Sequence, residues 1–217
     1  MTSSTLLTSQ RTNQLKTIAI MAIASVVYFV VVILILHFLR PDLDPISQPT
    51  SQYAVGSYGF LMTSAFFSMS IASFTLVLGL YQGISQTARS KVGLVLLGLW
   101  GVGVIIAMLF PIDPEGSPPT MAGTIHQIDG PLAFLCVTAS TILLSRRFNQ
   151  DENLHLLYYP ALLLSLVLLI TFILTFISFA TQLGFTGLTQ RIHLATLVTW
   201  MVLTAARVRS TSLRKAG

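Results

Sequence analysis

Six long apolar runs, separated by short polar connections, dominate this chain of 217 residues. An α-helix rises about 1.5 Å per residue, so runs of this length match the roughly 30 Å hydrocarbon layer of a bilayer. They lack both the alternation of a half-buried strand and the single apolar stripe of a helix on a soluble domain. Composition points the same way. The chain is 53% hydrophobic and 9% charged, against about 25% charged in an average soluble domain. That leaves too little charged surface to keep a water-soluble fold dispersed. The expected fold is all-α, a polytopic membrane protein forming a single bundle of six transmembrane helices.

The expected spans are residues 17–39, 55–83, 92–110, 127–145, 156–182 and 191–207. Residues 1–16 read as a polar tail and 210–217 as a basic one, both cytoplasmic. The first run could pass for a signal peptide, but its apolar core is too long. It leads into Arg40-Pro41-Asp42 and not into a small-residue cleavage site, so it reads as an uncleaved helix. Two longer loops, 40–54 and 111–126, are rich in proline. No repeat or long linker divides the chain, and it reads as one domain.

Charge gives the bundle a direction. The formal net charge is +5, carried in clusters beside the apolar runs. Such clusters point to membrane orientation and anionic headgroups, and no nucleic-acid motif accompanies them. With the N-terminus inside, Arg11, Lys16, Arg89, Lys91, Arg146, Arg147, Arg207, Arg209, Arg214 and Lys215 face the cytoplasm. Arg40 and Arg191 fall outside, with Asp42, Asp44, Asp113, Glu115 and Asp129. Six spans then return the C-terminus to the cytoplasm.

Small residues predict where helices meet. Ser64, Ser68 and Ala72 recur every four positions in the second run, and Gly93, Gly98 and Gly101 thin one side of the third. Cys136 stands alone, so no intrachain disulfide forms, and it reads as a packing residue. Thr189, His193, Thr196, Trp200 and Thr204 form a polar stripe on the sixth run. That stripe suits either hydrogen bonding between helices or a pocket wall.

No Asp, Glu, Lys or Arg falls at the centre of an expected span, which argues against a charge-coupled pump. The outer end is richer. His37, Tyr53, Ser57, Asp113, His126, Asp129, Arg191 and His193 all fall near helix ends there. They read either as interfacial residues or as a polar pocket open to the outside. In the first reading Asp129 suits the dipole of a helix N-terminus and Asp113 pairs with Arg191. A zinc site would draw on His126, His193 and Asp113 or Asp129, but no tight ligand spacing supports one. A haem held by the two histidines has no other support, and no cofactor is expected. His155 lies on the cytoplasmic side as a surface residue.

Three motifs resemble a family. Ser51-Gln52-Tyr53-Ala54-Val55-Gly56-Ser57-Tyr58-Gly59 opens the second helix. Phe110-Pro111-Ile112-Asp113-Pro114 is followed by Thr120, Gly123 and His126, and Gly187-Leu188-Thr189-Gln190-Arg191 precedes the last span. Together they resemble the bacterial and archaeal membrane family catalogued as domain of unknown function 998 (DUF 998). The resemblance implies a multi-helix membrane protein of about this length, a bacterial plasma-membrane location and no assigned activity. The motif-matching residues are Ser51, Tyr53, Asp113, His126, Gln190 and Arg191. His193 and Asp129 are not placed by it.

The expected function is that of an integral membrane protein with an outward polar pocket for a small or lipidic anionic ligand. Tyr53, Ser51, Asp113, His126, Gln190 and Arg191 would line it, with Arg191 as the charge partner. One alternative is a lipid hydrolase, metal-dependent or acid-base, worked by Asp113 and His126. The other is a structural or partner-binding protein in which the cluster only locks the loops over the bundle. Oligomeric state is not encoded in these features.

Overall fold

A computed structural model describes residues 3–214, with side-chain surroundings from 10 to 210. The described residues form six α-helices: α1 (Ser3–Leu39), α2 (Gly59–Gly83), α3 (Lys91–Leu109), α4 (Met121–Ser145), α5 (Tyr158–Thr181) and α6 (Thr186–Arg214). A short 3-10 turn at Thr50–Ala54 precedes α2. Each helix packs on the next in chain order, and α6 closes back onto α1. The result is a ring of six, with α2 also touching α6. Apolar side chains cover its outside: Phe38 is 84% exposed, Leu163 63% and Val95 61%. Such a surface is stable only in lipid.

Among the described residues five helices are long and apolar enough to cross a membrane: Gln10–Leu39, Gly59–Gly83, Lys91–Leu109, Met121–Gln150 and His155–Thr181. α6 does not reach that threshold, although the apolar runs predict six spans. Its length suffices at 29 residues, but its polar stripe dilutes the apolar run. The helix bounds also differ from the expectation. The polar stretch before residue 17 is helical from Ser3, and α4 begins at Met121. α6 begins at Thr186 and runs to Arg214. Of the expected basic tail, Lys215 lies outside the described residues.

Of the expected small residues Gly93 and Gly101 mark close approach of helices, joined on α2 by Ser70 and Ser73. Ser70 and Ser73 of α2 donate to the carbonyls of Gly101 and Leu97 on α3, at 3.0 and 2.7 Å. A Cβ on Gly101 would meet Ser73 at 3.0 Å. Ser140 of α4 donates to the Gly93 carbonyl at 2.7 Å. Gly98 instead faces open space. Three residues of the stripe on α6 bond to neighbouring helices, while Thr196 bonds to the Ile192 carbonyl of its own helix. Thr189 accepts from Thr175 at 2.9 Å, His193 Nδ1 lies 3.1 Å from Thr171 Oγ1, and Trp200 donates to Ser145 at 2.9 Å. Hydrogen bonds between helices replace the hydrophobic effect that lipid withholds.

The two ends of the ring differ. At one end, buried Asp151 accepts from the Ser85 amide at 2.7 Å, and Arg147 donates to the Thr87 carbonyl at 3.2 Å. Arg11 donates to the Gln82 carbonyl at 3.1 Å. This is the basic end. The other end carries the long loops between α1 and α2 and between α3 and α4.

Packing at Gly101 makes a prediction that Gly98 controls. Gly101→Val should cost about 1–3 kcal/mol by overpacking. Gly98→Ala should be neutral or stabilising by up to about 1 kcal/mol, since its Cβ meets nothing and the helix gains a better former. Paired thermal unfolding in one detergent measures both.

Candidate functional site

Arg191 organises the loop end. It sits in the second turn of α6 because that helix starts earlier than its apolar run. Its Nε donates to His37 Nε2 at 2.9 Å. One terminal nitrogen donates to the carbonyls of Pro45, Gln48 and Gly187 at 2.8, 2.8 and 3.1 Å. The other donates to the Tyr53 hydroxyl at 3.2 Å, and the guanidinium lies 5.7 Å from the Tyr53 ring centre. His37 Nδ1 lies 2.7 Å from the Ile33 carbonyl. A carbonyl cannot donate, so Nδ1 holds the proton and Nε2 is left to accept from the arginine.

The rest of that motif serves the same contact. The amides of Gly187 and Leu188 donate to the carbonyls of Ser47 and Ile46, at 3.2 and 2.9 Å. The loop thereby satisfies N–H groups that a helix start leaves unpaired. A Cβ on Gly187 would collide with the carbonyl oxygens of Gln48 and Pro45. Gln190 accepts from the amide and hydroxyl of Thr50 at 2.7 and 2.9 Å.

Asp113 closes the other loop. Its carboxylate accepts from the Thr120 amide at 3.0 Å and the Thr120 hydroxyl at 2.6 Å. Those two bonds, the hydroxyl first, hold the carboxyl below the usual carboxylate range. It is therefore ionised, and the clasp made, at any pH above that range. Thr120 also caps α4, accepting from the Gly123 amide at 3.1 Å. A Cβ on Gly123 would overlap the Asp113 carboxylate. His126 Nδ1 meets the Phe110 carbonyl at the end of α3, at 2.9 Å. Gln52 donates to the Asp113 carbonyl at 3.2 Å, and Gln48 to the Glu115 carboxylate, so the loops are tied together. Arg40 pairs with Asp42 at 2.7 Å and also donates to the Val55 carbonyl at 2.6 Å.

These bonds correct one expectation. Asp113 does not pair with Arg191. Its oxygens go to Thr120, while the guanidinium goes to carbonyls, His37 and Tyr53.

Beneath the loops lie two adjoining cavities. One sits among α4, α5, α6 and the 3-10 turn and offers about 110 Å³ to the centre of a water molecule. The other, of about 90 Å³, lies at the middle of the ring, bounded by α1, α2, α3, α4 and α6. A single water needs roughly 10–15 Å³ on that measure. Ser51, His126, Gly130, Phe134 and Gln190 line both, so the cavities are neighbours that share a wall. Of the six motif residues, Ser51, His126 and Gln190 therefore reach the cavities. Tyr53, Asp113 and Arg191 line neither.

Asp129 is the second correction. The apolar run alone puts it at a helix start, outside the membrane interior. With α4 beginning at Met121, it lies about 12 Å along the helix and inside an apolar span. It lines the central cavity, and its Oδ2 is buried with no hydrogen-bond partner. The absent Cβ of Gly103 makes room for the carboxyl, whose Oδ1 would stand 3.1 Å away. Two residues on, Pro131 sits within α4. It has no N–H to give the Gln127 carbonyl, so the helical ladder opens beside the outer cavity. The sequence carried this signal in Asp129-Gly130-Pro131, three unusual residues inside one apolar helix.

His193 belongs to the packing. It is fully buried, against Thr171 and edge-on to Phe134 with ring centres 4.8 Å apart. Among the described residues no three of His, Cys, Asp and Glu stand where they could share a metal ion.

The chain matches no curated protein and no solved structure. The family model described as "Protein of unknown function (DUF998)" matches residues 22–207. That span holds four complete helices, the second half of α1, most of α6 and both loops of the candidate site, and the chain is a member of the DUF998 family of membrane proteins.

Proposed function

We propose that this protein crosses the membrane six times, with both termini cytoplasmic, and binds a lipid-like amphiphile beneath its outer loops. α6 packs between α1 and α5, which supports reading it as the sixth span. The excess of basic residues at one end supports placing that end inside.

The observation that carries the ligand reading is the paired cavity. Its outer part is walled by Phe134, Phe172, Phe176 and Phe179, with Ser51, His126 and Gln190 as polar neighbours. That combination suits an apolar chain with a hydrogen-bonding head. Thr175 and Phe176 of α5 and Gly130 and Pro131 of α4 share this wall, so the approach is lateral, between those two helices. Arg191 is not the charge partner of the ligand in this reading. It holds loop 40–54 as a roof, which unites the pocket and loop-locking readings.

Three outcomes test these statements. Arg191→Ala should cost about 1–3 kcal/mol, since several part-buried acceptors lose a charged donor. Limited proteolysis should then cut loop 40–54 first, leaving the helices intact. For orientation, in a Cys136→Ser background, Ser117→Cys should react with a membrane-impermeant maleimide in intact cells. Asn149→Cys should react only after permeabilisation, and the reverse pattern would sink the topology. For the ligand, 9-bromononanol in phosphatidylcholine nanodiscs should quench Trp100 saturably, because Trp100 lines the inner cavity. Gly130→Leu should abolish saturation yet keep the fold, since a Cβ there meets nothing within 4 Å. Linear quenching in the parent protein would remove the ligand reading.

A further inference from the structure

We propose that the central cavity is an organic-cation site, in which Asp129 and a surround of aromatic rings receive an ammonium group. The inference rests on the cavity reading above and names the chemistry of the ligand's head. The first observation is electrostatic. No Lys or Arg among the described residues lines either cavity, and Asp129 is the one carboxyl that lines them. Its Oδ2 is shielded and has no partner. A carboxylate in that position lacks the counter-charge that a buried ion requires, and a bound cation supplies it.

The second observation is the wall. Phe29, Phe66, Trp100 and Phe134 bound the same cavity, from α1, α2, α3 and α4. Aromatic faces attract cations, most strongly in desolvated sites. Four rings with one carboxyl select an ammonium over a metal ion, which would need further oxygen ligands. The third is access. His126, Gly130 and Gln190 stand between this cavity and the apolar outer one and line both, and Gly130 carries no side chain to divide them. An amine with an apolar tail thus places its head at Asp129 and its tail among the α5 phenylalanines.

The test uses 4-bromobenzylamine, a cation at neutral pH, and its neutral counterpart 4-bromobenzyl alcohol. Bromine quenches Trp100 on contact, and Trp200 is remote, packed on Phe148 and bonded to Ser145. With the intact protein in phosphatidylcholine nanodiscs, the amine should bind at least tenfold more tightly than the alcohol. Asp129→Asn, which keeps the side-chain shape, should bring the two affinities within twofold and leave alcohol binding in place. That retained binding also shows that the variant is folded, and the contrast in the parent protein needs no variant at all. Equal affinities in the parent, or an amine preference that survives Asp129→Asn, would overturn the proposal. Saturable alcohol binding without amine preference would overturn it while leaving the amphiphile cavity standing. Loss of saturable binding by both probes would remove both.

Discussion

The guanidinium of Arg191 meets α1 through His37, the first loop through Pro45 and Gln48, the 3-10 turn through Tyr53, and its own helix through Gly187. Few side chains can do this. The fork offers five N–H donors in fixed directions, and backbone carbonyls accept without adding charge. A bilayer leaves no water to satisfy backbone groups, so non-helical chain near its depth must be satisfied by protein. Loop 40–54 solves that problem by giving its carbonyls to Arg191 and to the amides that open α6. The position of Ser51 over the cavities, and so the roof of the site, depends on that contact.

The second loop is held by different chemistry. A carboxylate accepts from the residue that caps α4, and a glycine one turn later makes room for it. Asp113, Thr120 and Gly123 therefore act together, and their spacing in the sequence is the geometry of the clasp. His126 extends it to α3 and is the one member that also reaches the cavities. The motif residues thus divide into those that fasten loops and those that face the enclosed space. His126 and Gln190 do both, which couples the closure of the loops to the shape of the pocket.

How far the sequence disclosed this depends on the kind of interaction. The helices were legible because apolar length is a bulk property of a run. Their starts were not. α4 opens with Met121-Ala122-Gly123-Thr124-Ile125-His126, too polar to count as apolar span, although Thr120 is a good cap. Trimming that turn moved Asp129 to the surface, when it belongs among the helices. The partners of Arg191 were hidden for another reason. A backbone carbonyl belongs to every residue and leaves no mark in the sequence, whereas Asp113 was a visible opposite charge. The cavities needed coordinates, because Phe134, Phe172 and Phe176 look like lipid-facing residues until the gap between α4 and α5 is seen. α6 was legible by position more than by composition, since Thr186, Thr189, His193 and Trp200 bond to neighbouring helices.

The closure of the ring has a consequence for biosynthesis. α1 packs against α6, and the carbonyls of Pro45 and Gln48 wait for an arginine made more than 140 residues later. Until the sixth helix leaves the ribosome, the first five form an open crescent. One flank of α1 then faces lipid, and loop 40–54 has no anchor. Long-range contacts of this kind form late, so the roof is the last part of the protein to set. A chain halted before α6 would display unpaired backbone at the membrane surface, a mark by which quality control can tell an unfinished copy from a finished one.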